Sequence, residues 1–370
     1  MGWQEIETGN RLECTGPCRL SGKRNRGYRC DRVRVNNMPQ RTKVLIFAIG
    51  LAAIQLSCGI ATDPLPNSAL SYVADYDTPG NGFQVVVVGD YAYLADGTGG
   101  LLVLDISSRY APEFAAHLAT PGSAVDITVS DDYYAYITCA VQGNRQVIIV
   151  DVGSPDNPVL VGDLDSLTAS NLKIEVRRRY AYVVADNYFK IFDMTDPARP
   201  IQRGSAAGTF GNCDLAISGD RAGLINYNTV SGHSELIAFD ISDPTSPIMT
   251  PAAGLLADST TDIFMEDRYL FLACPDSGLK IVDISNISSP SVLGGYRSYG
   301  RAEAVFYFGG LVAYGDGNNG VTLLSIITPA QPEPLGFYDT PGYVHGLFSD
   351  GYYLYIADGN RGLLILRIER

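Results

Sequence analysis

Seven times the chain returns to one phrase. "LLVLDIS" at 101–107 recurs as "VIIVDVG" at 147–153, "FKIFDMT" at 189–195, "LIAFDIS" at 236–242 and "LKIVDIS" at 279–285. Looser copies follow as "VTLLSII" at 321–327 and "LLILRI" at 363–368. The fifth residue of each falls at Asp105, Asp151, Asp193, Asp240, Asp283, Ser325 and Arg367, so successive copies are 46, 42, 47, 43, 42 and 42 residues apart. A second marker counts the same way: "YAY" at 91–93, 134–136 and 180–182, then "RAG" at 221–223, "YLF" at 269–271, "LVA" at 311–313 and "YLY" at 353–355. A period of this length means one supersecondary unit per copy, each burying its apolar face against the next.

Each copy reads as four short strands. In the second, "VDITV" (125–129), "YAYIT" (134–138), "QVIIVDV" (146–152) and "PVLVGDL" (158–164) are runs rich in Val, Ile and Tyr. Ser, Asp, Gly, Asn and Pro separate them, which is turn chemistry. No sustained helical period appears after residue 60. Repeated units of four antiparallel strands predict an all-β fold, a seven-bladed β-propeller over 69–368. The last copy stops after its third strand, at Ile368, yet "ALSYVADYDTPG" at 69–80 matches the outer-strand segments "EFAAHLATPG" (113–122) and "PLGFYDTPG" (334–342). The spacing therefore predicts that an N-terminal strand closes the last blade, removing two sheet edges that would invite aggregation.

The phrases "GLLVLDIS", "LKIVDIS" and "VIIVDV" resemble the LVIVD repeat of bacterial and archaeal surface proteins. The resemblance covers 69–368 in seven copies; it is strong in the first, second, fifth and seventh and weak in the fourth, where Gly223 replaces the usual aromatic residue. It implies a propeller and a surface location, and it implies no reaction.

The N-terminus is a different object. "RTKVLIFAIGLAAIQLSCG" has a basic start at Arg41 and Lys43, an apolar run from Val44 to Leu56 and a small-residue junction at Ser57-Cys58-Gly59. That is the grammar of a secretory signal, too short for a comfortable membrane span. The junction resembles a lipobox, with Gln55 where Leu is usual, and marks Cys58 for lipidation; a plain cleaved signal and an uncleaved anchor are the alternatives. The expected layout is an N-terminal extension at 1–37, misassigned ahead of a start at Met38 or disordered, a signal at 38–58, a linker at 59–68 and the propeller. Cys14, Cys18 and Cys30 lack a fourth ligand to complete a metal site. From Cys58 onward the chain has 17 basic and 36 acidic residues, a net −19 that argues against nucleic acid as a partner.

In a propeller the loops "TPG" (78–80, 120–122, 340–342) and "DGTGG" (96–100), "DGNNG" (316–320) and "DGNRG" (358–362) share the face around the channel mouth. Gln84, Asp126, Lys173, Asp214, Asp262, Glu303 and His345 stand early in the inner strands at roughly equivalent places, a polar ring offered as a ligand site. The competing reading is that its carboxylates cap backbone N–H groups of a crowded centre. Asp96, Asp316 and Asp358 precede Gly and read first as turn residues. No metal site and no cofactor are predicted; the carboxylates could recruit a divalent cation, but these loops lack the ligand spacing of a calcium loop. Cys139 and Cys274 take the place of that Asp and, with Cys213, read as small buried fillers. His345 is the one channel residue to test for catalysis, yet no nucleophile or ligand triad accompanies it; His117 and His233 fall away from the channel. The reading is a monomeric, non-enzymatic binding scaffold for a protein or glycan at a bacterial envelope, touching the membrane only through its N-terminal anchor. Its rival is a propeller hydrolase or lyase with a polar site in the channel.

Overall fold

The computed structural model describes residues 68–369, apart from 165, 166, 209, 211, 229–232, 251–254, 258, 298 and 299, together with four short strands nearer the N-terminus. Those four, Leu12–Cys14, Arg19–Ser21, Gly27–Arg29 and Val33–Val35, pair first with fourth and second with third, within a unit spanning Met1–Pro66. The signal-like segment at 38–58 with Cys58, the residues Cys18 and Cys30, and the linker as far as residue 67 lie outside the described residues. No helix among the described residues is long and apolar enough to cross a membrane.

The second unit, Asn67–Arg370, is a seven-bladed propeller of antiparallel sheets. The inner strands are Gln84–Val88, Ser123–Val129, Leu172–Arg177, Asn212–Ser218, Asp262–Glu266, Ala304–Phe308 and Gly346–Ser349, numbered here as blades 1 to 7. Each blade runs outward in chain order, except that blade 7 takes Leu70–Tyr76 as its outer strand, paired with Leu363–Ile368. Blade 4 adds a short strand, Leu255–Ala257, against its third strand. The core lies between blades, as seven buried apolar clusters, one at each junction. Tyr93, Tyr136, Phe271 and Tyr355 on the second strands are fully buried there. Gly223 leaves that place open in blade 4, and Met265 of blade 5 reaches into the space, its Sδ 3.3 Å from where a Cβ would sit.

The repeated phrase has a local cause. The Asp that ends the third strand in blades 1 to 5 turns the chain by accepting the N–H two residues on: Asp105 from Ser107 (2.8 Å), Asp151 from Gly153 (2.9 Å), Asp193 from Thr195 (3.0 Å), Asp240 from Ser242 (2.9 Å) and Asp283 from Ser285 (2.8 Å). The apolar residue between is buried, and its own N–H donates to the turn joining the first two strands of its blade. Ile106 reaches Asp90 O at 2.8 Å and Val152 reaches Tyr133 O at 2.9 Å. Blades 6 and 7, which lack the Asp, keep that backbone bond, from Ile326 to Gly310 O and from Ile368 to Tyr352 O. The Asp is therefore dispensable where the buried residue and its N–H are not.

The outer strands share a second device. In six blades the pairing with the third strand slips by one residue at the same place, after Val103, Ile149, Ile191, Ile281, Leu323 and Ile365. Such bulges twist an edge away from further pairing. A small residue sits just past the slip, because the turn of the next blade packs on it. A Cβ on Gly204 would lie 2.4 Å from Pro244 O, and one on Gly294 would lie 2.5 Å from Ala330 O. Gly336 of blade 6 meets Ala69 N in the same way at 2.9 Å, so the strand that closes the ring also supplies this contact.

Candidate functional site

Inner strands alternate. Val85, Ile127, Ile174, Leu215, Ile263, Val305 and Leu347 are buried between blades, while the residues on either side of them line the channel and meet their counterparts in the next blade. Register places Gln84 opposite Ala95, Asp126 opposite Thr138, Lys173 opposite Val184, Asp214 opposite Ile225 and Asp262 opposite Ala273. These five are equivalent. In blades 6 and 7 the equivalent residues are Ala304 and Gly346, opposite Gly315 and Ala357; Glu303 and His345 stand one residue earlier, ahead of their strands. Gly346 leaves room for its neighbour, since a Cβ there would lie 2.3 Å from Gln84 Oε1.

On one side of the channel the ring is charged. Lys173 Nζ lies 3.3 Å from Asp126 Oδ2 and 3.0 Å from Asp214 Oδ1, a bridge across blades 2, 3 and 4. Asp214 Oδ2 then accepts the Ile263 N–H of blade 5 (2.9 Å), and Asp262 Oδ2 accepts the Val305 N–H of blade 6 (2.7 Å). Each side chain thus reaches forward to the next inner strand. Asp126, Asp262 and Gln84 also accept the N–H of the residue that follows them. Burial works against the Lys173 ammonium, but Asp126, Asp214 and Asp262 outweigh it and hold its pKa above the usual lysine range. Burial and the Asp214 charge raise Asp262 well above an ordinary carboxylate.

Glu175, two residues beyond Lys173 on the same side of its strand, was absent from the expected ring. Burial, then Asp126 and Asp214, push its carboxyl up to about 8 against the pull of Lys173 and Arg177. The Lys-x-Glu spacing in a strand is the signal that could have found it.

Across the channel the wall is aromatic. Phe264, Phe306 and Phe348, at the place of Glu175 in blades 5, 6 and 7, touch in sequence with ring centroids 5.0 and 5.3 Å apart. At the mouth, His345 sits between Phe83 (4.9 Å) and Tyr343 (4.7 Å), and burial lowers its pKa against the pull of Glu303. Glu303 Oε1 accepts Tyr343 OH (2.7 Å) and Arg301 Nε. His117 is on the outer strand of blade 1, its Nε2 2.6 Å from Gly99 O.

The Asp-Gly loops are clamps. Asp96 is fully buried, accepting Thr78 Oγ1 at 2.5 Å and Gly80 N–H at 2.9 Å, and so pins a Thr-Pro-Gly loop. Asp358 does the same through Gly342 N–H (2.8 Å), and Asp316 accepts Gly300 N–H (3.1 Å) at the equivalent place, where the sequence is not Thr-Pro-Gly. Burial raises Asp96 and lifts Asp358 to about 6. Cys139 and Cys274, in the same place, are buried, and Cys274 Sγ lies 3.8 Å from Thr260 Oγ1. Among the described residues no three His, Cys, Asp or Glu side chains are grouped to hold a metal ion.

These shifts set an unusual pH profile. A carboxyl whose pKa is higher in the fold than in the unfolded chain binds its proton preferentially in the fold, so acidification stabilises. Glu175 and Asp358 act in this direction as pH falls from about 8 toward 4. Asp358 alone, raised from 3.8 to about 6, contributes about 3 kcal/mol at about 1.4 kcal/mol per pKa unit. Below about 4 the sign reverses, because hydrogen bonds from Thr195 hold Asp193 at about 2 and those from Arg268 and Ser285 do the same for Asp283. The denaturation midpoint is expected to rise from pH 8 to 5 and fall by pH 3; a steady decline from pH 8 would contradict the buried carboxyls.

The LVIVD repeat matches residues 79–120, 121–166, 171–207, 212–251, 257–298 and 341–368. The chain belongs to the LVIVD repeat family. The LVIVD match includes blade 4 despite Gly223 and passes over blade 6, where Ala313 replaces the aromatic residue and Ser325 the Asp. No curated protein matches the sequence. Among solved structures, the WD40 propeller domain of Doa1 is similar at TM-score 0.62 and 10% identity, covering 82% of this chain and 98% of that one. U3-55K is similar at 0.59 and 14%, covering 82% and 99%, and the computationally designed Ika8 protein at 0.58 and 12%, covering 80% and 99%. At these identities the likeness is one of fold.

Proposed function

We propose that this LVIVD propeller is an exported, envelope-associated scaffold that binds a protein or glycan without catalysing a reaction. The observation that carries this is the wiring of the channel. Asp126, Lys173, Asp214 and Asp262 are engaged with each other or with the next blade's backbone. They hold inner strands together, which leaves the outer surfaces for recognition. The likeness to WD40 propellers supports a scaffold, and the basic, apolar and Cys-containing run at 41–58 supports export with Cys58 as the anchor.

One observation favours a channel enzyme instead: Glu175, with its raised pKa beside Lys173, has the character of a general acid or base. A thermal-shift screen against divalent cations, sugars and small polar metabolites separates the two. The scaffold predicts no shift that depends on the channel. A ligand at a hundred times its Kd adds about 2.7 kcal/mol of stability. A shift of that size, lost in Asp126→Ala and Glu175→Gln, would overturn the scaffold in favour of a channel site.

A further inference from the structure

Blade 3 makes its first turn with arginines. Arg177, Arg178 and Arg179 are consecutive and exposed, in a chain whose net charge is −13. The corresponding turns elsewhere carry Gly89-Asp90, Asp131-Asp132, Gly219-Asp220, Asp267-Arg268, Gly309-Gly310 and Asp350-Gly351. Elsewhere in the propeller, Arg109 pairs with Asp90 and Arg203 with Asp193. Among the described residues, none of the three forms an ion pair, although acidic turns flank them on both sides. Arg179 instead stacks on Tyr180, 5.1 Å from the ring, and donates to its hydroxyl at 2.8 Å. Between the turns of blades 2 and 3 lies a groove of about 420 Å³ with Asp131 and Asp132 on one wall and Arg178, Arg179 and Tyr180 on the other. Tyr133, half-exposed at 51%, stands beside it.

Opposite charges that face each other across an open groove without pairing leave both walls available to the charges of a ligand. A uniform polyanion, whether nucleic acid or acidic glycan, would meet Asp131 and Asp132; a uniform polycation would meet the arginines. A polypeptide with acidic and basic side chains side by side satisfies both walls. Tyr133 and Tyr180 add the rigid amphipathic surface that protein recognition favours. We propose that this groove docks a segment of a partner protein carrying adjacent acidic and basic side chains. The proposal rests on the scaffold reading and gives it a place on the molecule.

The test uses the full chain and fluorescence anisotropy with four probes: octapeptides of alternating Glu and Lys, of Glu alone and of Lys alone, and a heparin oligosaccharide. The alternating peptide is expected to bind best and to weaken at high salt. Its Kd should rise tenfold or more in Arg178→Glu/Arg179→Glu. Adding Asp131→Lys/Asp132→Lys exchanges the walls, and binding should return. Heparin or the Glu peptide binding as well as the alternating one would overturn the proposal, as would no binding of the alternating peptide. Binding indifferent to the charge swaps would remove the groove and leave the scaffold standing; only a channel-dependent small-molecule shift removes the scaffold.

Discussion

A chain beginning at Ser68 should fold as the full protein does, and one beginning at Asp77 should not. The nine residues between them include Leu70–Tyr76, six of whose residues pair with Leu363–Ile368. Leu70 and Ala74 are buried, and Val73 and Tyr76 pack on the cluster between blades 7 and 1. At about 1.5–3 kcal/mol for each large apolar side chain, losing them costs about 5 kcal/mol, comparable to the whole stability of many domains. The loss also bares "LLILRI", an apolar edge with its hydrogen-bonding groups unpaired. The expected result is an aggregating, non-cooperative species, rescued in part by a synthetic peptide of residues 68–80. Equal melting of the two truncations would disprove closure through this strand.

The second large effect is expected at Lys173. Lys173→Met keeps most of the side chain's unbranched stem and removes the cation that bridges Asp126 and Asp214, leaving Glu175 and Asp262 in the same acidic wall. Breaking a buried pair costs about 3–5 kcal/mol, and the low end applies because Lys173 keeps 26% of its side chain exposed. The loss should be greatest near pH 8 and shrink toward pH 5, as the orphaned carboxyls take up protons. Adding Asp214→Asn to Lys173→Met should recover part of the loss, which equilibrium denaturation of the single and double variants measures directly. A loss independent of pH would mean that Lys173 acts through packing alone.

How much of this was legible beforehand depended on whether the cause was local. The Asp of "DIS" bends the chain through a hydrogen bond to its own second neighbour in five blades, and the apolar run before it continues the count to seven. The matching of 69–80 to outer-strand segments disclosed closure for the same reason. The ring was harder. Lys173 bridges residues 47 positions before and 41 after it, and no short window contains that contact. Glu303 and His345 entered the ring by counting, whereas strand pairing puts Ala304 and Gly346 there. Glu175 is hidden because each inner strand presents two residues to the channel, and the ring of one residue per blade takes only the first. The run Arg177–Arg179 stands in the sequence as letters, but not the acidic wall opposite, which belongs to another repeat.

The closing strand also has a consequence in time. Leu70 pairs with Ile368, so nearly the whole propeller is one loop that must be spanned before the last blade exists. Loop entropy makes this only modestly costly, about 0.6 kcal/mol for each doubling of length. Order of synthesis is the sterner constraint. As the chain is made, blades 1 to 6 can build upon one another, but Leu70–Tyr76 waits without its partner until Leu363–Ile368 emerges. The ring is the last thing to form, and a polypeptide interrupted before Leu363 has no way to close it.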